Sequence, residues 1–308
     1  MHPKSPDQLL QAALSFRSAK ALLCGVELGL FSELARGPRT ARQLRRTLGL
    51  SERAAPDLLD ALVAMGVLDR EGDDAHAVYL NTRDAGRYLD RHSPDYLGGL
   101  LDAASARGYG RWSELGDAVK ASSTAPASVP APTWAPTSAR PAAPAISRFA
   151  HAFDALAVAL ELGPHGVLAY VDASGEQLGA ALARSDPQWH VTRVDAGDAL
   201  PPADVIVLVG ALGACRPEAR QTLIRHAHAA LPAGGRLVAV EALIDDARRD
   251  NLFALLASLD AVLDPDGGRG FGFSAADFQG WCHAAGFADT SVIVLGATCS
   301  AAVARRGR

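Results

Sequence analysis

The chain has 308 residues, 49% of them hydrophobic and 21% charged, the composition of an ordinary soluble globular protein long enough for two domains. Its net charge of -4 and the scatter of its Lys and Arg residues leave no basic stripe for a polyanion, which argues against nucleic acid as a partner. Cys24, Cys215, Cys282 and Cys299 are far apart, form no CxxC pair and sit in mostly apolar surroundings. Neither a zinc site nor a disulfide framework is expected, no metal is called for, and a cytoplasmic location fits.

The N-terminus reads as an amphipathic helix without the apolar core of a signal peptide, and no later segment is apolar long enough to span a bilayer. No membrane association is expected. From Pro6 to about Leu34 the residues Leu9, Leu10, Leu14, Phe16, Leu22, Leu23, Val26, Leu28 and Leu30 recur with helical spacing, interrupted by Gly25 and Gly29. This predicts one helix and then a second. Thr40 caps a short helix through Leu48, which Gly49 ends, and Ser51 starts another carrying Leu58, Leu59, Leu62, Val63 and Met65 before Gly66. Residues 67–81 read as two short strands around the polar turn Glu71-Gly72-Asp73-Asp74. Helix, turn, helix and hairpin make a winged helix, expected to occupy residues 1–120. Its second helix carries Glu52, Arg53, Asp57 and Asp60. Three acids against one base are wrong for a phosphate-lined groove, so this domain is expected to pack against a second subunit instead.

Residues 121–145 are rich in Pro, Ala and Ser, with Trp134 among them. They carry too little apolar surface to fold alone and read as a linker. After a helix starting at Ile146, the runs VLAYVD, WHVTRVD, DVIVLVG and GRLVAVEAL alternate with helical patterns, one of them from Pro217 to Leu231. Strands apolar at consecutive positions belong to a parallel sheet covered on both faces, so residues 146–308 are expected to form a doubly wound α/β domain.

Several segments together carry a family likeness. In the N-terminal half they are AKALLCGVELGLFSELARGPRTARQLRRTLGL, LLDALVAMGVLDREG and YLNTRDAGRYLDRHSPDYLGGLLDAASARGYGRWSELGDAVK. In the C-terminal half they are LPPADVIVLVGAL, HAALPAGGRLVAVEALIDDARRDN and FSAADFQGWCHAAGF. With these the chain resembles the bacterial and plant small-molecule O-methyltransferases that carry an N-terminal dimerisation domain and use S-adenosylmethionine (SAM). The resemblance covers almost the whole chain. It implies a winged-helix dimerisation domain, a class I, Rossmann-like methyltransferase domain, and a dimer.

Three features depart from the family pattern. The loop after the first strand should follow its Asp with a glycine cluster, so that backbone can approach the cofactor. Asp172 is present, but Ser174 takes the first glycine position, Gly175 the second, and Glu176 and Leu178 stand where small residues belong. A Cβ at a position needing positive φ costs on the order of 1 kcal/mol, and Glu176 would repel a cofactor carboxylate. Next, only residues 185–202 separate Arg184 from Ala203, too few for the strand, ribose-binding acid, helix and third strand that the resemblance implies. About one crossover unit is missing. Asp195 is then the candidate ribose acid, or Asp198 the acid near the adenine. Finally, the His-Asp pair expected after DVIVLVG is replaced by Gly213 and Ala214, which removes a general base of the kind that contributes roughly 10²–10⁴-fold. Of the acids that orient that base, Glu241 is retained, whereas the second is replaced around Gly270 and Phe271. His151, His190, His226, His228 and His283 do not repeat the lost position.

These departures make a non-methylating partner subunit the leading expectation, as a homodimer or paired with a related methyltransferase. The alternatives are an active O-methyltransferase of a small aromatic or polyketide hydroxyl, with Glu241 or solvent taking the proton, and a repurposed catalyst of hydroxylation, decarboxylation or cyclisation. SAM is the cofactor implied by the resemblance, and the altered loop weighs against its binding.

Overall fold

A computed structural model describes residues 5–73, 76–97, 101, 105, 108–120, 166–172, 189–195, 197–263, 272–296 and 298–308. The chain divides into two units, Met1–Gly110 and Arg111–Arg308. The expected linker with Trp134, the helix from Ile146, and the loop with Ser174 and Gly175 lie outside the described residues.

The first unit opens with helix α1 (Pro6–Glu27), whose N-cap Ser5 accepts from the Gln8 N–H and whose proline lies in the first turn. The expected interruption at Gly25 does not occur: α1 runs through it, and Gly29, at φ 72°, makes the break before α2 (Leu30–Leu34). Gly25 is a packing position. A Cβ there would stand 3.1 Å from the Phe31 ring, so its absence is what lets α2 close onto α1. The Arg91 guanidinium donates to the Val26 and Glu27 carbonyls at 2.9 and 3.2 Å, a cation placed where the helix dipole is negative. By length and composition α1 would also cross a membrane, which the amphipathic reading did not anticipate; Asp7, Arg17, Lys20 and Glu27 interrupt it.

A capping box between Thr40 and Gln43 starts α3 (Ala41–Leu48), and Gly49 at φ 67° ends it. Helix α4 (Ala55–Ala64) begins four residues later than expected. Pro56 is the reason: lacking an N–H, it is tolerated only in a first turn. The wing has three antiparallel strands in the order β1-β3-β2 (β1 Arg39–Thr40, β2 Leu68–Glu71, β3 Val78–Asn81), one more than predicted. Asp60 on α4 accepts from Tyr79 Oη at 2.8 Å and from Arg70 at 2.9 Å, and Asp57 pairs with Arg53 at 2.7 Å. Glu52, just ahead of the helix, pairs with Arg45 at 2.9 Å, so all three acids are engaged within the domain. Leu30, Phe31, Leu44, Leu59, Leu62 and Leu68 form its core, each contributing about 1.5–3 kcal/mol of burial. Helix α5 (Arg83–Tyr88), capped by Thr82, closes the motif.

The second unit begins with α6 (Leu115–Lys120) and is organised by strands β4 (Gly166–Asp172), β5 (Trp189–Val194), β6 (Val205–Val209), β7 (Arg236–Glu241), β8 (Phe287–Gly296) and β9 (Cys299–Arg306). They form a sheet in the order β5-β4-β6-β7-β9-β8, parallel from β5 to β7 and antiparallel beyond. From β5 the chain reaches β6 through residues 195–204 with no helix or strand among those described, so the connection is short as the sequence implies. The helices are α7 (Ala211–Ala214), α8 (Pro217–Ala230), α9 (Leu252–Val262) and α10 (Ala275–Ala284).

Strand alternation assigns every residue to a face. Ala169, Val171, Ile206, Leu208, Leu237 and Ala239 pack with Leu223, Ile224 and Ala227 of α8 and with Phe278 and Cys282 of α10. Leu168, Tyr170, Val205, Val207, Val238 and Val240 form the core of the opposite face. By the same parity Glu241 belongs to the α8 and α10 face.

Past β7, the Asp245 carboxylate accepts backbone N–H bonds from Arg249, Asp250 and Asn251 at 2.9–3.1 Å, and Asn251 in turn caps α9. Those bonds favour the charged form and hold Asp245 down to about 2 from its ordinary 3.8. A depressed carboxylate contributes stability above its unfolded value and loses it as pH falls through its folded one. The Arg249, Asp250 and Asn251 amides should therefore lose hydrogen-exchange protection between pH 3.8 and about 2, and Asp245→Asn should abolish that pH dependence. Gly25→Ala should lower stability in urea melts, despite the roughly 1 kcal/mol of helix propensity that alanine brings, because the Phe31 ring it meets is buried.

Candidate functional site

The parallel register brings together positions scattered over seventy residues of sequence. Val194 stands opposite Val171, Asp172 opposite Val209, and Val209 opposite Val240. Asp195, Asp172, Gly210 and Glu241 consequently follow one another along the carboxyl edge of four adjacent strands. From β4 the chain moves outward to β5 and then returns past β4 to β6. That reversal leaves a crevice at the strand carboxyl ends, the usual ligand position in an open parallel sheet.

Asp195 and Asp198, which the sequence offers as alternatives, share one turn: the Asp198 N–H donates to the Asp195 carbonyl at 3.1 Å, with Gly197 at φ 101° between them. The Asp195 side chain is largely exposed and lies 3.5 Å from Arg193. Gly210, at φ 64°, turns the chain sharply out of β6 and donates its N–H to the Val240 carbonyl at 3.1 Å. Ser174 and Gly175 are outside the described residues, as are Gly270 and Phe271.

The expected base position is neither an open cleft nor a polar patch. Gly213 and Ala214 lie in α7, all of whose residues are buried, and the Gly213 N–H donates to Glu241 Oε1 at 3.1 Å. Glu241 is itself only 8% exposed. With no histidine to orient, its carboxylate has taken the backbone as a partner.

A second charged side chain meets the same turn, and sequence reasoning missed it. Arg220 is fully buried on α8. Its Nε donates to the Leu212 carbonyl at 2.8 Å and Nη2 reaches the Cys215 carbonyl at 3.4 Å. Its guanidinium lies over the Phe273 and Trp281 rings, 5.2 and 4.9 Å from their centroids. Burial lowers the pKa of Arg220, and the charges of Glu241, Cys215 and Asp277 oppose that shift. The signal was present: Arg220, Leu223, Ile224 and Ala227 have the spacing of one helix face, and a cation in an apolar stripe needs a partner.

The remaining chemistry at this end is muted. Burial pushes the Cys215 thiol up to about 12, so it is not a thiolate nucleophile at neutral pH. Of the histidines in the second unit, His226 and His283 are exposed on helices, His228 bonds the Gly286 carbonyl, and His190 sits near the amino end of β5. His151 is outside the described residues. Among the described residues no three His, Cys, Asp or Glu side chains gather as a metal site.

Comparison with known proteins agrees with this architecture. Residues 10–91 match the O-methyltransferase dimerisation domain and residues 180–288 the O-methyltransferase domain; the second match begins beyond Asp172 and the loop that follows it. The tetracenomycin polyketide synthesis 8-O-methyl transferase TcmO of Streptomyces glaucescens is 31% identical over 346 aligned positions, covering 100% of this chain and 98% of that protein. The N,N-dimethyltransferase OxyT of Streptomyces rimosus is 29% identical, over 78% of this chain and 79% of its own. Human N-acetylserotonin methyltransferase in complex with SAM has the same fold, with a TM-score of 0.79 at 22% identity over 100% of this chain and 99% of that one. Two matched domains in family order and a full-length relative above 30% identity establish that the chain belongs to the SAM-dependent O-methyltransferase family with an N-terminal dimerisation domain.

Proposed function

We propose that this chain is an active methyltransferase that moves a methyl group from SAM to a hydroxyl of a small aromatic, polyketide-type acceptor. The observation that carries this reading is the aligned carboxyl edge: Asp195, Asp172, Gly210 and Glu241 stand at the ends of four adjacent strands in one register. Full-length similarity to a polyketide O-methyltransferase supports it. The described residues suit the adenosine half of the cofactor. Asp195 and Asp198 offer carboxylates on one turn for ribose hydroxyls or an exocyclic amine, and at Gly210 no Cβ crowds the switch point.

Bound SAM would supply an electrophilic methyl on a sulfonium sulfur. The protein's contribution is then to place an oxygen in line with that methyl and to receive its proton. Glu241 is the carboxylate nearest the vacated base position and takes that role, or passes the proton to solvent. A carboxylate is a weak base, so the acceptor must ionise readily by itself; a phenol acidified by a neighbouring carbonyl meets that requirement. The leading expectation from sequence, a non-methylating subunit, rests on the departures from the family pattern, among them the short connection from β5 to β6 and the replacement of the His-Asp pair by Gly213 and Ala214. Loss of a general base slows a reaction but does not abolish it where the nucleophile is already anionic.

Calorimetric titration should show SAM binding. Asp195→Ala should weaken it by about tenfold or more, as expected for removal of a charged hydrogen-bond acceptor. Mass spectrometry of acidic polycyclic phenols incubated with the protein and SAM should show gain of one methyl. Absence of SAM binding sinks methyl transfer and leaves the partner-subunit reading in its place. We further propose a homodimer built on the N-terminal domain, where Leu9, Leu10 and Phe16 of α1 are each more than half exposed. Light scattering should give twice the 32.1 kDa chain mass, and Leu9→Asp with Leu10→Asp should shift it toward the monomer.

A further inference from the structure

A turn built of Ala211, Leu212, Gly213 and Ala214 has no polar side chain with which to anchor itself. Buried backbone groups still need partners. Here they are supplied from two sides by opposite charges: Arg220 takes the Leu212 and Cys215 carbonyls, and Glu241 takes the Gly213 N–H. A buried cation is a costly way to fill space, since an apolar residue of similar volume is commonly neutral or stabilising in such a place. Arg220 nevertheless occupies a fully buried position against two aromatic rings, bonded to the turn that follows β6.

We infer that Arg220 is a positioning residue of this site, locking the 211–215 turn and holding the Glu241 carboxylate charged and oriented at the position the family gives to its base. The inference rests on the methyltransferase reading for its purpose, but the arrangement itself can be tested without any acceptor. Among the described residues, the groups that bear on Glu241 include the Gly213 N–H and the Cys215 thiol from the turn, Arg220 from α8, and Ser300 opposite it on β9. Asp277 of α10 acts on Arg220 from the far side. Arg220 is the one cation in this set. Its removal therefore takes away a positive charge that acts on the buried carboxylate, which favours the protonated form.

The test uses the full chain labelled at the Glu carboxyl carbon, with the Glu241 signal identified by its loss in Glu241→Gln. The readout is the titration midpoint of Glu241. In Arg220→Met its titration midpoint should rise by at least one pH unit, about tenfold in proton affinity, and Arg220→Lys should restore part of that difference. SAM affinity, measured by calorimetry in parallel, should change less than about twofold, because Asp195 and Asp198 lie on the turn after β5 and Asp172 at the end of β4, not on this turn. An unmoved Glu241 midpoint in a folded Arg220→Met protein would show that Arg220 merely fills space, and would overturn the inference whether or not SAM binds. If Arg220→Met fails to fold, Arg220→Lys decides by amide exchange. A lysine cannot donate to both carbonyls in the same geometry, so Gly213 should lose at least about tenfold of its protection, and unchanged protection would refute the role.

Discussion

Burial of the central strands on both faces is the constraint on which the second unit depends. Every residue of β6 is buried, and five of the six in β7. In a strand with one wet face a slip of one residue exchanges core for solvent; here it would exchange one close-packed core for another of different shape. Ile206 and Leu208 fit against α8, Val205, Val207 and Val209 against the opposite core, and the sets are not interchangeable. The register so enforced is also what aligns Asp195, Asp172, Gly210 and Glu241. The site is a by-product of core packing at the point where apolar strand gives way to polar loop.

That arrangement explains how the chain tolerates the loss of its family's base. At the end of β6, where the family pattern has a His-Asp pair, the described residues are buried and the Glu241 carboxylate has a backbone partner. The turn collapses into buried backbone, Glu241 accepts from it, and Arg220 closes it from below. Taking a guanidinium out of water costs several kcal/mol. Two carbonyl bonds, two aromatic faces and the carboxylates of Glu241 and Asp277 offset that cost. Under the proposed methyl transfer, proton removal would pass from a histidine to a carboxylate or solvent, which would select for acceptors acidic enough to need little help.

The first unit follows a different logic. Its winged helix is held by internal polar ties, with Asp60 bridging α4 to the wing through Tyr79 and Arg70, and Asn81 donating to the Phe31 carbonyl at 2.8 Å. Charges that would have to meet phosphates in a groove-reading domain are here engaged within the fold. On α1, Leu9, Leu10 and Phe16 are exposed among polar residues, which suits a subunit contact.

Much of this was legible in the sequence because it depends on local periodicity. Consecutive apolar residues announced the parallel strands, Thr40 and Gly49 marked the ends of α3, and the ten-residue passage from β5 to β6 could be counted. Family motifs located Asp172, Asp195 and Glu241 as the residues to watch. Other features depended on partners distant in sequence. Gly25 reads as a helix breaker until Phe31 is found against it, Asp195 and Asp198 read as alternatives until one turn holds both, and Arg220 shares the apolar face of its helix without the sequence saying what meets it. Only the tertiary structure could decide these, because a glycine's lost Cβ or a cation's cost is set by whatever lies within a few ångströms. In this protein those neighbours come from strands and helices tens of residues away.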